Sequence, residues 1–192
     1  MISRWEWRTF GADLGPAESR ILSNGEARAW TSAETYIISR DSARNTKIRD
    51  GFMDIKKLEA LDAGLERWNP VLKAGLPLDA AVLGKIFAAW NVVPPDLARG
   101  AYTLEQFLPE IVRPHPRLAA IAVEEERFGF TIGGCIVEVA HLKFDGTPIR
   151  TAAVEAEDPL AVLQTVRKLG LDGFENVNYV KALKRFQGLT ES

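Results

Sequence analysis

Only one cysteine, Cys135, occurs in the 192 residues, so no internal disulfide and no cysteine-based zinc site can form, and the thiol reads as a small buried hydrophobe. No apolar run approaches membrane-spanning length, and Met1-Ile2-Ser3-Arg4-Trp5-Glu6 lacks the apolar core of a signal peptide. The expectation is a cytoplasmic protein without a membrane partner. Positive charge is not in excess either. A net charge of -2 argues against wholesale binding of nucleic acid, which draws on a basic surface, although it allows a local basic groove. Walker-type GxxxxGK[ST], helix-opening GxGxxG, HExxH and GxSxG are all missing, which withdraws support from several common enzyme classes. Gly129, Gly133 and Gly134 lie between two β-like runs and read as hairpin-turn residues. His115 and His141 have no acidic or nucleophilic motif beside them and read as structural or solvent-exposed. No Ser/Gly/Pro-rich linker or internal repeat divides the chain, so residues 1–192 are expected to form one domain; at 46% hydrophobic they can fill its core.

What the chain does have is charge at alternate positions: Arg4-Glu6-Arg8, Lys47-Arg49, Asp54-Lys56 and Glu155-Glu157. On β-strands this spacing puts each set on one face, with Trp5, Trp7, Ile48, Ile55 and Ala156 on the other. The bland reading is the wet face of an ordinary antiparallel sheet. Strands are expected over Ser3–Phe10 and Glu34–Ser39, and a hairpin over Asn45–Leu58 turns at Asp50-Gly51. Leu65–Leu76, punctuated by Pro70, reads as an irregular or edge strand. Leu118–Ile132, Gly134–Lys143 and Thr151–Glu157 form a meander. Helices are expected over Pro16–Leu22, from Asp79 to Trp90, from a Thr103/Gln106 capping box to a stop before Pro109, from Asp158-Pro159 to Gly170, and over Val177–Phe186. Glu124-Glu125-Glu126 reads as a solvated patch in which Glu125 shares a face with Arg127. The tryptophans are assigned to the outer face of the sheet and to helix contacts. About eight strands with helices inserted or appended suit a strongly curved or closed antiparallel sheet, and the fold class is α+β.

The order of these motifs carries further information. An x-Glu-x-Arg strand, then Lys47-Ile48-Arg49, Met53-Asp54-Ile55-Lys56, Glu126-Arg127-Phe128, Val137-Glu138-Val139, Val154-Glu155-Ala156-Glu157 and a late Asn178-Tyr179 together resemble the CYTH, or triphosphate tunnel metalloenzyme, superfamily along nearly the whole chain. The resemblance implies an antiparallel eight-stranded β-tunnel with peripheral helices, basic inside for a triphosphate and acidic inside for Mg²⁺ or Mn²⁺. Position by position it assigns phosphate binding to Arg8, Lys47, Arg49, Lys56 and Arg127, and metal binding to Glu6, Glu138, Glu155 and Glu157. Tyr179 falls near the tunnel. Ile48 and Ile55 are then expected to pack outward beneath helices.

The residue types suit this chemistry on their own terms. Guanidinium forks and compact ammonium groups match phosphate oxygens, whereas hard divalent cations take carboxylate oxygens and water. The chain also departs from the family pattern. Arg4 stands where the opening Glu-x-Glu-x-Lys motif has its first carboxylate, Glu125 replaces a basic residue, and the acidic pair of the fifth strand is represented only by Glu66. The expected function is divalent-metal-dependent binding, with or without hydrolysis, of a triphosphate or short polyphosphate. The alternatives are a weak or inactive polyanion-binding module and a nucleotidyl cyclase of the same superfamily. No nucleic acid partner is expected, and a homodimer stays open.

Overall fold

The computed structural model describes residues 3–189. In chain order the elements are β1 (Trp5–Gly11), α1 (Pro16–Leu22), β2 (Arg28–Ser39), β3 (Asn45–Arg49), β4 (Phe52–Asp62), β5 (Leu65–Gly75), β6 (Leu78–Asp79), α2 (Ala80–Trp90), β7 (Ala101–Tyr102), α3 (Leu104–Phe107), β8 (Leu118–Ile132), β9 (Cys135–Phe144), β10 (Thr147–Ala156), α4 (Pro159–Leu169) and α5 (Tyr179–Phe186). Eight strands close into a barrel in the order β1-β10-β9-β8-β2-β3-β4-β5, and β6 and β7 pair separately. Every pairing is antiparallel.

Local chemistry explains most of the boundaries. Asp50 and Gly51 have φ of 51° and 75°, the pair of left-handed residues whose twist suits a two-residue hairpin, and Arg49 pairs with Phe52 across it. The Asp79 and Asp158 carboxylates accept from the Val82 and Leu160 amides and start α2 and α4. α3 ends at Phe107, before Pro109 as expected, but helical winding of another kind continues through Pro109. Lacking the N–H that continues an α-helix, Pro109 sits in a π-helical turn, Leu108–Val112, that follows directly on α3. β5 is irregular but not an edge, because it pairs with both β4 and β1. Its register slips between the Ile55–Leu72 and Lys56–Pro70 pairs, a bulge beside a residue with no N–H to donate. β2 begins at Arg28, well before Glu34, since pairing with Glu124–Gly129 of β8 holds a stretch whose exposed residues gave no apolar alternation.

The alternation sorts into an outer and an inner surface. Outward, Trp7, Phe130, Val139 and Val154 pack beneath α1 and α4. Ile37, Ile48, Met53 and Ile55 pack beneath α2 and the helical turns after it, so Ile48 and Ile55 lie where expected. Inward, Tyr36, Ile38, Ile121, Val123, Leu142 and Phe144 meet Tyr179, Ala182 and Leu183 of α5. That helix plugs one end of the barrel with apolar side chains, and only the other half of the interior is left polar.

Closure is incomplete between β1 and β5, which pair only at Trp5–Arg67 and Glu6–Glu66. Beyond that point residues 176–178 bridge the gap. The Arg8 amide donates to Asn176 Oδ1 at 2.9 Å, the Val177 amide donates to the Arg8 carbonyl at 2.7 Å, and Asn178 Nδ2 donates to both Glu66 oxygens at 2.9 and 3.0 Å. The seam and the start of α5 are therefore one construction.

Candidate functional site

The polar half of the barrel encloses a cavity of about 110 Å³ lined by Glu6, Arg8, Tyr36, Asn45, Lys47, Asp54, Lys56, Trp68, Arg127, Glu155, Asn178 and Tyr179. Its walls come from β1, β2, β3, β4, β5, β8, β10 and the start of α5. Of the residues assigned from the sequence, Arg8, Lys47, Lys56, Arg127, Glu6 and Glu155 line this cavity. Glu138 joins them through its ion pairs with Arg8 and Arg127. Arg49 stands at the rim, more than a third exposed, bound to Glu34 at 2.9 Å and Asp50 at 3.6 Å. Glu157 is not brought to the cavity: β10 ends at Ala156 and Glu157 is exposed beyond it. Arg4 likewise precedes β1 and is exposed, so it does not occupy an inward ligand position.

Most of the cations already hold carboxylates. Glu34, whose side chain is 0% exposed, receives Lys47 at 3.1 Å, Arg49 at 2.9 Å and Arg127 at 3.5 Å. Arg127 also pairs with Glu125 and, at 3.1 Å, with Glu138. Arg8 donates to Glu6 at 2.7 Å and lies 4.8 Å above the Tyr179 ring. Lys56 is different. Among the described residues it makes no ion pair, and its charge is felt at Glu155.

These arrangements shift protonation in opposite directions. Burial alone would raise the Glu34 carboxyl, but Lys47, Arg127 and Arg49 outweigh it and hold Glu34 below the ordinary carboxylate value. Burial pulls the Lys47 ammonium below its usual value despite Glu34. Burial raises Glu155, and Glu6, its direct neighbour across the β1–β10 ladder, adds repulsion. Burial also pushes the Tyr179 phenol upward, so it stays protonated and donates to Glu125 at 2.9 Å.

Several of these residues escaped the sequence reading. Glu34, the hub of the cation cluster, opened an expected strand, and its even-numbered parity with Tyr36 was the available signal. Glu125 belongs to a run read as solvated, yet only Glu124 and Glu126 are exposed while Glu125 is buried. Trp68, assigned to packing outside the sheet, lines the cavity and donates to Glu66 at 3.1 Å. Glu66 spends its oxygens on Trp68 and Asn178. Gly129 lies within β8 opposite Arg28 and is not a turn residue; Gly133 and Gly134 do form the β8–β9 turn. His115 hydrogen-bonds Val93 and His141 binds Glu18, both outside the cavity. Among the described residues no helix is long and apolar enough to cross a membrane.

No family model matches the sequence, and no curated protein matches it. Solved structures do resemble it. A putative adenylyl cyclase from Hippeastrum, described as having a dominant triphosphatase activity, superposes with a TM-score of 0.51 at 11% identity, covering 98% of this chain and 97% of that one. A putative adenylate cyclase from Bacillus halodurans gives 0.48 at 13% identity, covering 97% and 99%. A conserved hypothetical protein from Pyrococcus furiosus gives 0.48 at 14% identity, covering 92% and 98%. The fold of this chain is the CYTH, or triphosphate tunnel, fold. At such identity the likeness establishes architecture, and chemistry has to be argued from the cavity itself.

Proposed function

We propose that the cavity binds a triphosphate or short polyphosphate together with a divalent cation. The observation that carries this reading is the convergence of Lys47, Lys56, Arg8 and Arg127 with Glu6 and Glu155 around one enclosed space. Lys56 and the rim guanidinium of Arg49 are the cations with most donor capacity left for phosphate oxygens, and Lys47 follows. Glu6 and Glu155 are the pair suited to the metal. They face each other across a ladder and repel, so a cation between them would relieve an existing strain. Among the described residues no three acidic or imidazole groups cluster as a metal cage. Two carboxylates completed by phosphate oxygens and water are the usual provision for Mg²⁺.

Hydrolysis is the catalytic extension of this reading: water oxygen bonds to the terminal phosphorus, the bridging P–O bond breaks, and a shortened phosphate chain departs with orthophosphate. A bound divalent cation would supply charge neutralisation on the phosphate oxygens. The protein groups bind and orient the chain. The triphosphatase description of the Hippeastrum protein agrees with this extension. A second reading, binding without turnover, is favoured by the three carboxylates around Arg127, which leave that guanidinium little capacity for a transferring phosphate.

Neighbouring lysines provide the test. Lys56 lines the cavity, whereas Lys57 is exposed on the opposite face. Titrating inorganic triphosphate with Mg²⁺ by calorimetry, we expect Lys56→Ala to weaken binding roughly tenfold or more, the worth of one charge-assisted bond. Lys57→Ala should match the wild type. Equal effects would refute the assignment. Phosphate release that stops with chelator would mark the enzyme, and saturable binding without release would mark the module.

A further inference from the structure

The cations that line the cavity are unequally free. On the β3–β4 side, Lys56 makes no ion pair among the described residues and faces the cavity. Lys47, in register with Asp54 of the same wall, bonds the two Glu34 oxygens at 3.2 and 3.1 Å, which leaves its ammonium an N–H to spare. On the β2–β8 side, Arg127 is surrounded. Glu125, Glu34 at 3.5 Å and Glu138 at 3.1 Å all bind its guanidinium, and the side chains of Glu125 and Glu34 are 0% exposed.

Glu125 is also fixed in place. Tyr179 of α5 donates to one of its oxygens at 2.9 Å, Ser32 of β2 donates to the other at 3.2 Å, and Arg127 follows two residues later on its own strand. A phosphate that displaced the carboxylate would leave these donors unpaired in a buried site. A phosphate that joined it would set further negative charge against two buried carboxylates, where like charges repel strongly. Glu138 gives no relief, because Arg8 shares it at 3.5 Å.

We propose that Glu125 is an internal anion that closes Arg127 to phosphate, so that the cavity selects a diphosphate chain over a triphosphate. This rests on the binding function proposed above and narrows its ligand class to the short end. A diphosphate can lay its two phosphoryl groups against Lys56 and Lys47, with the divalent cation at Glu6 and Glu155. A third phosphoryl group has only the Arg127 side left, and there the positive charge is already spent. Glu125 touches no ligand itself; it acts through Arg127 and is a positioning residue.

The experiment compares inorganic diphosphate and inorganic triphosphate by calorimetry with Mg²⁺, using wild type, Glu125→Gln, Glu125→Asp and Glu124→Gln. Wild type should bind diphosphate more tightly. Glu125→Gln keeps an oxygen for Tyr179 and removes the charge, and Glu34 and Glu138 still neutralise Arg127. It should shift the preference roughly tenfold toward triphosphate, the worth of one charge-assisted bond regained at Arg127. Glu125→Asp keeps the charge and Glu124→Gln alters only the exposed partner of Lys143, so both should hold the wild-type preference within about twofold. Tighter binding of triphosphate by wild type would overturn the proposal, and this comparison decides even where Glu125→Gln does not fold; the binding function would then stand. Equal tightening of both ligands in Glu125→Gln would also overturn it, because the charge would then act on the whole interior and not at a third phosphoryl position. An unchanged preference in that variant does the same. If wild type binds neither ligand, both this proposal and the binding function fall.

Discussion

Glu34 determines how the interior can carry so many cations at all. Five basic groups assigned from the sequence converge in or around one half-barrel, and three of them share this buried carboxylate. Removing it leaves Lys47, Arg49 and Arg127 facing one another without their common counter-charge, a loss of about 3 kcal/mol for a broken buried pair. Because its pKa is held below the ordinary value of 4.5, the carboxylate's stabilisation is fully present above pH 4.5 and is lost as pH falls through the lower folded value. Chemical denaturation should therefore show Glu34→Gln destabilised by about 3 kcal/mol at pH 7, with the gap to wild type closing in more acidic buffer. A gap that persists unchanged into acid would mean that the effect is packing and not charge. Inorganic triphosphate should recover stability in Glu34→Gln more than in wild type, since it supplies the missing negative charge.

At the scale of elements, the two well-formed helix caps near the C-terminus have different burdens. Asp158 caps α4 through the Leu160 amide at an exposed position. Asn178 caps α5 through the Lys181 amide at 2.9 Å and also satisfies both oxygens of buried Glu66. Asp158→Ala should cost about 1 kcal/mol, an ordinary cap. Asn178→Ala should cost roughly 2–4 kcal/mol, because the cap is lost and a buried carboxylate keeps only the Trp68 indole as donor. Denaturant midpoints of the two variants decide the matter. Similar losses would show that α5 is held by its apolar face alone.

For the whole molecule, the barrel is strongest where β2 meets β8 along their full lengths and weakest where β1 meets β5. A metal–triphosphate complex held by Glu6 and Glu155 on one side and Lys56 on the other would span that seam. Hydrogen exchange at the Glu66 and Arg67 amides should then slow on adding Mg²⁺ and inorganic triphosphate, by a larger factor than at the β2–β8 amides. Uniform slowing would instead report general stabilisation by mass action. Sub-global opening of this kind is expected where few backbone bonds cross a boundary.

The amino-acid sequence by itself determined the hairpins, the helix starts and the faces of the strands. Asp50-Gly51, Asp79, Asp158 and the alternation of Lys47-Arg49 and Glu155-Glu157 act through neighbours a few residues away, and a period of two states which side chains point together. It also pointed to a strongly curved or closed antiparallel sheet, and the order of the charged strands pointed to a tunnel through the family they resemble. Tertiary structure decided where each inward face begins and ends. Glu157 lies past the last residue of β10 and Arg4 before the first of β1, although both keep the right parity, because strand length is set by a partner strand distant in sequence. Only assembly could turn Glu125 from a member of an acidic run into the buried partner of Arg127 and Tyr179. Only assembly could make Glu34 the common counter-ion of three cations from β3 and β8, since a charge network exists only once the barrel has closed around it.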